Sequence, residues 1–352
     1  MPAESRSLRP QSARILLVDD ARFELHASAE EHPERPERLH AARAALNAAA
    51  RAGIAADRVI PRPASDAELI RVHDAQFLDE LSTLRGRTAY LDPDTYVSAQ
   101  SVDVARLAAG SLVAMIDQVI DGDVPKGVAL LRPPGHHARP SQAMGFCLLN
   151  NVAVAAAHAR ARGLERVAIV DWDVHHGNGT QEIFWRDPNV LYVSMHQYPF
   201  YPGTGAAEER GEGDGTGFTV NVPLAAFRGD AVYASAFERV ILPVVEEYRP
   251  ELVLISAGFD AALRDPLAQM ELSAGAFGWM AQSLARVANR HAKGRLALVL
   301  EGGYDLLSLE EGLRSAVTGM VLGDAPELRR ANDDAGVVRA AQAAKRAWSV
   351  VS

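Results

Sequence analysis

The 352-residue chain has a single cysteine, Cys147. No intrachain disulfide can form and a cysteine-built zinc finger is excluded, which suits a reducing compartment. The chain also lacks long apolar runs. None approaches the roughly 18 residues of a transmembrane helix, and Met1 to Ser12 carries no apolar core of the signal-peptide kind. The expectation is a cytoplasmic protein with no membrane partner. Basic excess is absent too: Lys plus Arg is 36 against 45 for Asp plus Glu, a net charge of −9. That makes a poor non-specific binder of nucleic acid, and no nucleic-acid partner is expected. No Gly-x-Ser-x-Gly elbow and no phosphate-binding Gly-x-x-x-x-Gly-Lys-Ser/Thr loop occurs. No repeat of fixed period and no low-complexity linker interrupts the chain.

What is present is 48% hydrophobic residues, 11 histidines and a large carboxylate stock. The apolar runs are short: Ile15–Val18, Val128–Leu131, Val167–Val170, Val190–Val193, Leu252–Ile255 and Leu296–Leu300. Near-continuous Val, Ile and Leu predict strands buried on both faces. Ala-rich stretches of helical spacing lie between them, at 40–52, 102–120, 151–162, 231–247 and 274–291. Such alternation predicts an α/β fold with one mostly parallel sheet flanked by helices on both faces. The domain reading is residues 1–12 as a disordered N-terminus, 13–323 as one domain and 324–352 as a C-terminal helix or tail.

Ligands of open α/β sheets bind beyond the C-terminal strand ends. There the chain reads Arg132-Pro-Pro-Gly-His136-His137, Asp171-Trp-Asp173-Val-His175-His176-Gly-Asn178-Gly, Ser194-Met-His196, Ser256-Ala-Gly-Phe-Asp260 and Glu301-Gly-Gly303-Tyr304. Five polar strand ends describe a site. Asp171, Asp173 and His175 are spaced by two, so an extended chain points them to one side. With Asp260 from a neighbouring strand, Asp173 and His175 make a donor set for catalytic Zn²⁺ or Fe²⁺. A lone Asp-x-His more often caps a strand; the company it keeps here reverses that. Two adjacent histidines can share the work of base and acid. Tyr304 could donate to a developing oxyanion, although alone it reads as a structural tyrosine. Cys147 lies in an apolar run and reads as a small buried hydrophobe, not a nucleophile.

Taken together, these segments resemble the histone deacetylase superfamily. The likeness extends to His32-Pro-Glu-Arg-Pro36, Leu91-Asp-Pro-Asp94-Thr95, Gly145-Phe146-Cys147 and Pro202-Gly-Thr-Gly205. It runs in unbroken order from about Asp19 to Gly323, and its wording is nearest to class II deacetylases and bacterial deacetylase-like amidohydrolases. The resemblance implies the arginase/deacetylase fold and a deacetylase-like catalytic domain over 13–323. It implies one catalytic Zn²⁺ on Asp173, His175 and Asp260. His137 would be general base or base and acid in turn, oriented by Asn178. His136, paired with Asp171, would give electrostatic support, and Tyr304 would stabilise the oxyanion. Phe146 and Tyr201 would wall a channel for an acyl-lysine stem, with Gly145, Gly303, Leu267 and the rim residue Asp94 completing the substrate contacts. Tyr201 stands where many relatives have Phe. Asn178 replaces the Asp of class I enzymes, as in class II. A structural K⁺ would use Asp171, Asp173, His175, Ser194 and Met195, and a second the carbonyls of Phe184, Asp187, Val190 and Phe218. The implied substrate is an acetylated lysine peptide or protein, or a small acylated amine. Leu267 matches the acetyl-lysine enzymes where a polyamine-specific relative has Glu. Two alternatives remain, a non-catalytic acyl-lysine reader and a two-manganese ureohydrolase, and a homo-oligomer is allowed for.

Overall fold

Eight strands, all but the exposed edge strand Ala55–Arg58 largely buried, line up side by side in the computed structural model, which describes residues 13–28, 30–331 and 333–351. They are β1 (Arg14–Val18), β2 (Ala55–Arg58), β5 (Lys126–Ala129), β6 (Val167–Asp171), β7 (Val190–Gln197), β8 (Thr219–Leu224), β9 (Leu252–Ala257) and β10 (Leu296–Leu300). Two short strands, β3 (Ala89–Tyr90) and β4 (Tyr96–Val97), form a separate antiparallel pair. The eight run in the order β2-β1-β5-β10-β9-β6-β7-β8, every pairing parallel. All residues of β6, β9 and β10 are buried, as their unbroken apolar sequences require. The expected α/β architecture with a mostly parallel sheet is therefore observed.

Helices α1 (Glu37–Arg51), α2 (Asp66–Leu69), α3 (Ala75–Ser82), α4 (Ser101–Asp121), α5 (Asn151–Ala161) and α6 (Asn178–Ile183) connect the first strands. Helices α7 (Asp230–Ala236), α8 (Leu242–Tyr248), α9 (Ala274–His291), α10 (Leu306–Leu322) and α11 (Ala335–Ala344) follow. Packing gathers α1, α10 and α9 into one group and α4 with α5 into another. None of the helices among the described residues is long and apolar enough to cross a membrane.

Three details depart from the pattern. The helix expected over 231–247 is divided by a π turn at Phe237–Ile241. Pro243 lies just inside the helix that follows. It has no N–H to donate and its ring crowds the preceding turn, so the chain widens there. The helix α10 was not anticipated, although it carries both end signals: Asp305 accepts from Ser308 N at its start and Gly323 closes it at φ 69°. The strand before the histidine pair starts two residues early and leaves the ladder at Ala129, ahead of Pro133 and Pro134.

The 324–352 segment contains α11, capped by the Asp334 carboxylate, which accepts from Gly336 N and Val337 N. Its buried Val337, Ala340, Ala341 and Ala344 face β8, and the Trp348 indole donates to Gly217 O at 2.9 Å. This segment thus adds to the common core. The residues read as a disordered N-terminus, 1–12, lie outside the described residues.

Candidate active site

The five polar strand ends belong to β5, β10, β9, β6 and β7, which are consecutive neighbours in the sheet. Parallel register does the assembling. Asp171 pairs with Ser256 on one side and Ser194 on the other, so the loops that follow leave the sheet together.

Asp173 and His175 come from the loop after β6 and Asp260 from the loop after β9. The His175 Nδ1 lies 3.2 Å from Asp173 Oδ1 and 3.1 Å from Asp260 Oδ2. One ligand atom from each lies within 4.8 Å of the others. Main-chain donors aim the acids: Gly302 N and His175 N on Asp173 at 2.8 and 2.9 Å, Val174 N on Asp260 at 2.9 Å. Glycine is required beside them, because a Cβ at Gly258 would meet Asp173 at 2.1 Å and one at Gly302 would meet Asp260 at 2.2 Å. Burial and the charge of Asp173 push Asp260 up to about 7. Burial opposes charge on His175, yet the two carboxylates drive it up to about 10. The donor set fits a divalent cation. A cation at the point where the three ligand atoms converge would answer both acids and leave the imidazole neutral.

His136 and His137 leave β5 through Gly135, with ring centroids 4.0 Å apart. His136 Nδ1 lies 3.1 Å from Asp171 Oδ2, and His137 Nδ1 lies 2.8 Å from Asn178 Oδ1. Two neighbours of like type thus receive opposite environments. Burial works against a charged His136, but Asp173 and Asp171 raise it to about 10. Burial and the neighbouring His136 and His175 hold His137 well below its usual range. The neutral Asn178 leaves no charge there to keep a proton on His137. One imidazole is held charged and the other is kept neutral.

Tyr304 follows Gly303, whose φ of 115° only glycine adopts readily. Its backbone N donates to Asp265 Oδ2 at 2.7 Å. Arg38, fully buried at the start of α1, donates to the carbonyls of Glu301 and Gly303. The same guanidinium stands 5.0 Å from the Tyr304 ring centroid. Burial raises the phenol well above its usual range while Arg38 pulls the other way.

Phe146 and Tyr201 stand on two sides: Phe146 meets the Tyr304 ring edge-on at 5.8 Å, and Tyr201 meets His137 at 5.2 Å. Gly145, at φ 55°, lies so close to His137 that a Cβ would sit 2.5 Å from its ring. Asp94 lies beside Thr95, whose hydroxyl accepts from Phe146 N at 3.1 Å. Leu267 is half-buried and its N donates to Asp265 Oδ1, which ties it to the Tyr304 loop. Ser194, opposite Asp171 in the ladder, spends its hydroxyl on His196 Nδ1 at 2.8 Å, and Met195 follows it in β7. Cys147 is buried, its Sγ directed to Gly145 O.

Several participants were not singled out from the sequence. Glu301 Oε2 accepts from Gly135 N and His136 N at 2.7 and 3.2 Å, fixing the histidine loop to β10. Tyr192 donates to Asp171 at 3.0 Å. Phe200 stacks on His175 with centroids 5.5 Å apart. Arg132 and Arg38 converge on Glu34, all three with side chains fully buried. Residues 30–37 with Pro266 and Tyr304 line a cavity of about 840 Å³ at the mouth. Glu301 and Arg132 carried a signal, since each opens a polar strand end, and Glu34 lies in the His32–Pro36 segment; Arg38, Tyr192 and Phe200 sit in patterns that read as ordinary helix, strand or loop.

Comparison with known proteins gives a consistent result. Residues 32–320 match the family described as the histone deacetylase domain. The histone deacetylase-like amidohydrolase of Pseudomonas aeruginosa is 45% identical over 77% of this chain and 74% of its own. Histone deacetylase 15 of Arabidopsis thaliana is 44% identical over 88% of this chain and the polyamine deacetylase HDAC10 of Homo sapiens 41% over 90%. The chain spans 56% and 48% of the length of those two relatives. The crystal structure of the HDA15 HD domain superposes with a TM-score of 0.88 at 39% identity, covering 97% of this chain and 96% of that one.

Proposed function

The chain belongs to the histone deacetylase family, and on that footing we propose that it is a zinc-dependent amidohydrolase removing acetyl or short acyl groups from lysine side chains. The observation that carries the reading is the convergence of Asp173, His175 and Asp260 with a neutral His137 and the Tyr304 phenol. Zn²⁺ held by the two aspartates and His175 would polarise the acyl carbonyl and acidify a water beside it. His137 takes the proton of the attacking water and returns it to the leaving amine. Asn178 holds its ring in place, and the charged His136 lends the developing anion a fixed positive neighbour. Tyr304 donates its O–H to the oxygen that becomes negative. Phe146 and Tyr201 flank the methylene stem of the acyl-lysine and keep water from it. K⁺ beside Asp171 and Ser194, a cytoplasmic setting and a homo-oligomer belong to the same proposal.

A second reading, an acetylpolyamine or other small acylated amine as substrate, is favoured by the likeness to a polyamine deacetylase. Leu267 weighs against it, because a cationic amine gains nothing from an apolar side chain there. One assay separates the readings. The purified chain should turn over an acetyl-lysine peptide with a larger kcat/KM than N-acetylputrescine, lose that turnover on chelation and regain it with Zn²⁺. Turnover indifferent to the chelator would overturn the mechanism. A preference for acetylputrescine would move the substrate, and peptide binding without turnover would make the protein a reader.

Asp94 gives the reading a pH signature. Burial and the adjoining Asp92 push it up to about 6. It accepts a substrate N–H only when ionised, so peptide KM should rise as pH falls through about 6. Asp94→Asn should raise KM at pH 8 and remove that dependence. An unchanged KM profile in the variant would exclude Asp94 from substrate binding.

A further inference from the structure

The opposite edge of the sheet holds a second cavity. Arg166, Asn189 and Phe218 stand immediately before β6, β7 and β8, at the N-terminal ends of two strands whose other ends carry the site and of their neighbour β8. They open on a space of about 890 Å³. Four guanidinium groups line it, those of Arg160, Arg166, Arg210 and Arg346, against the carboxylates of Glu165 and Glu247.

The charges are not matched within the chain. Among the described residues, Arg160, Arg210 and Arg346 have no carboxylate within 4.0 Å, and Arg166 reaches only the exposed Glu165, at 3.5 Å. Glu247 is already engaged by Ser349 N at 2.9 Å, Ser349 Oγ at 3.1 Å and Val350 N at 3.2 Å. The nearby Asp187 turns to its own loop through Asn189 N and Nδ2. Arg160 and Arg166 are anchored by carbonyls, Leu164 O at 2.6 Å and Arg249 O at 2.9 Å, which leaves other N–H donors of each guanidinium uncommitted. In a chain of net charge −9, four arginines gathered at one opening repel one another, and a bound anion would relieve that repulsion.

The wall beside them is rigid. Phe218, Tyr248 and Trp348 meet edge to face, with centroids 5.7 to 6.2 Å apart. The Tyr248 phenol donates to Pro188 O at 3.4 Å and the Trp348 indole to Gly217 O at 2.9 Å. The space far exceeds a single phosphate group and lies within the range of sites for whole small molecules. We propose that this cavity binds a nucleoside di- or triphosphate, phosphates on the arginines and the nucleoside against the Tyr248–Trp348 wall. Nothing in this assignment depends on the chemistry at the other end of the sheet.

Isothermal titration of the full chain at low ionic strength with ADP, pyrophosphate and adenosine tests it. ADP should bind with a Kd below about 1 mM and adenosine should not. Added salt, and the double substitution R210E/R346E, should each weaken ADP roughly tenfold or more. The exposed single change R346E should weaken it in the same direction, with thermal melts confirming that both variants fold. Absence of ADP binding, or ADP affinity unchanged in the folded variants, would overturn the site. The second outcome would also expose ADP taken up by a metal at the other pole. Pyrophosphate binding as tightly as ADP would overturn the nucleoside half of the assignment.

Discussion

Tyr304→Phe is expected to lower kcat on an acetyl-lysine peptide by about 10²–10³, equivalent to about 2.7–4 kcal/mol, with KM little changed. The substitution removes one oxygen and nothing else that holds the loop. Its backbone bond to Asp265, the Arg38 bonds to Glu301 and Gly303 carbonyls and the contact with Phe146 all survive. Burial keeps the phenol protonated across the working pH range, so the native group is always a donor. A donor aimed at charge that develops only during reaction acts on the transition state, which is why the loss belongs in kcat. Steady-state kinetics and a thermal melt check both parts. A rise in KM at constant kcat would reassign Tyr304 to ground-state binding.

Glu34→Gln is expected to destabilise the fold by about 3–5 kcal/mol at pH 7, the usual cost of breaking a buried ion pair. Glu34 accepts from Arg132 Nη2 at 2.7 Å and from Arg38 Nη1 at 3.1 Å, with no side-chain exposure in any of the three. The amide keeps the shape but leaves two buried cations with no countercharge from Glu34. Burial works against ionised Glu34, yet Arg132 and Arg38 hold it well below the carboxylate range. A depressed folded pKa contributes stability that is present above the unfolded value near 4.5 and is lost as pH falls below it. The gap between wild type and variant should therefore narrow in acid. Urea denaturation at pH 7 and pH 4 measures it; a difference under about 1 kcal/mol at pH 7 would mean that the arginines find other partners.

The sheet was legible because buried parallel strands are nearly continuous in Val, Ile and Leu, and the polar residues that end them stand out. The Asp171, Asp173 and His175 spacing was legible by residue type but not for the expected reason, since the strand ends at Asp171 and the chain bends over 173–175, with each acid accepting from the backbone N two residues on. Arg38 was not. It sits in a helix pattern where a charge normally faces water, and nothing local tells that the start of α1 lies beneath a loop 265 positions away. Glu34 stood in view within His32-Pro-Glu-Arg-Pro36, but nothing local told that it is buried between two arginines. Phe200 reads as a loop aromatic until the chain after β7 folds it over His175. The π turn needed Pro243 to be weighed against an otherwise good helical stretch, and α10 needed its two caps to be read together.

The strand order has a consequence for how the protein comes into being. β5 and β6, which carry the histidine pair and the first two acids, are separated in the sheet by β10 and β9, the last two strands among the described residues. A chain growing from its N-terminus has made both banks of the cleft by residue 175 but not the middle that spans them. The partner of β6, β9, follows only at residue 252 and the partner of β5, β10, only at 296, so the β5 edge stays unpaired for more than a hundred residues of synthesis. Such long-range closure is slow and leaves sticky intermediates. The reactive cluster can come together only once synthesis has passed β10 and Tyr304.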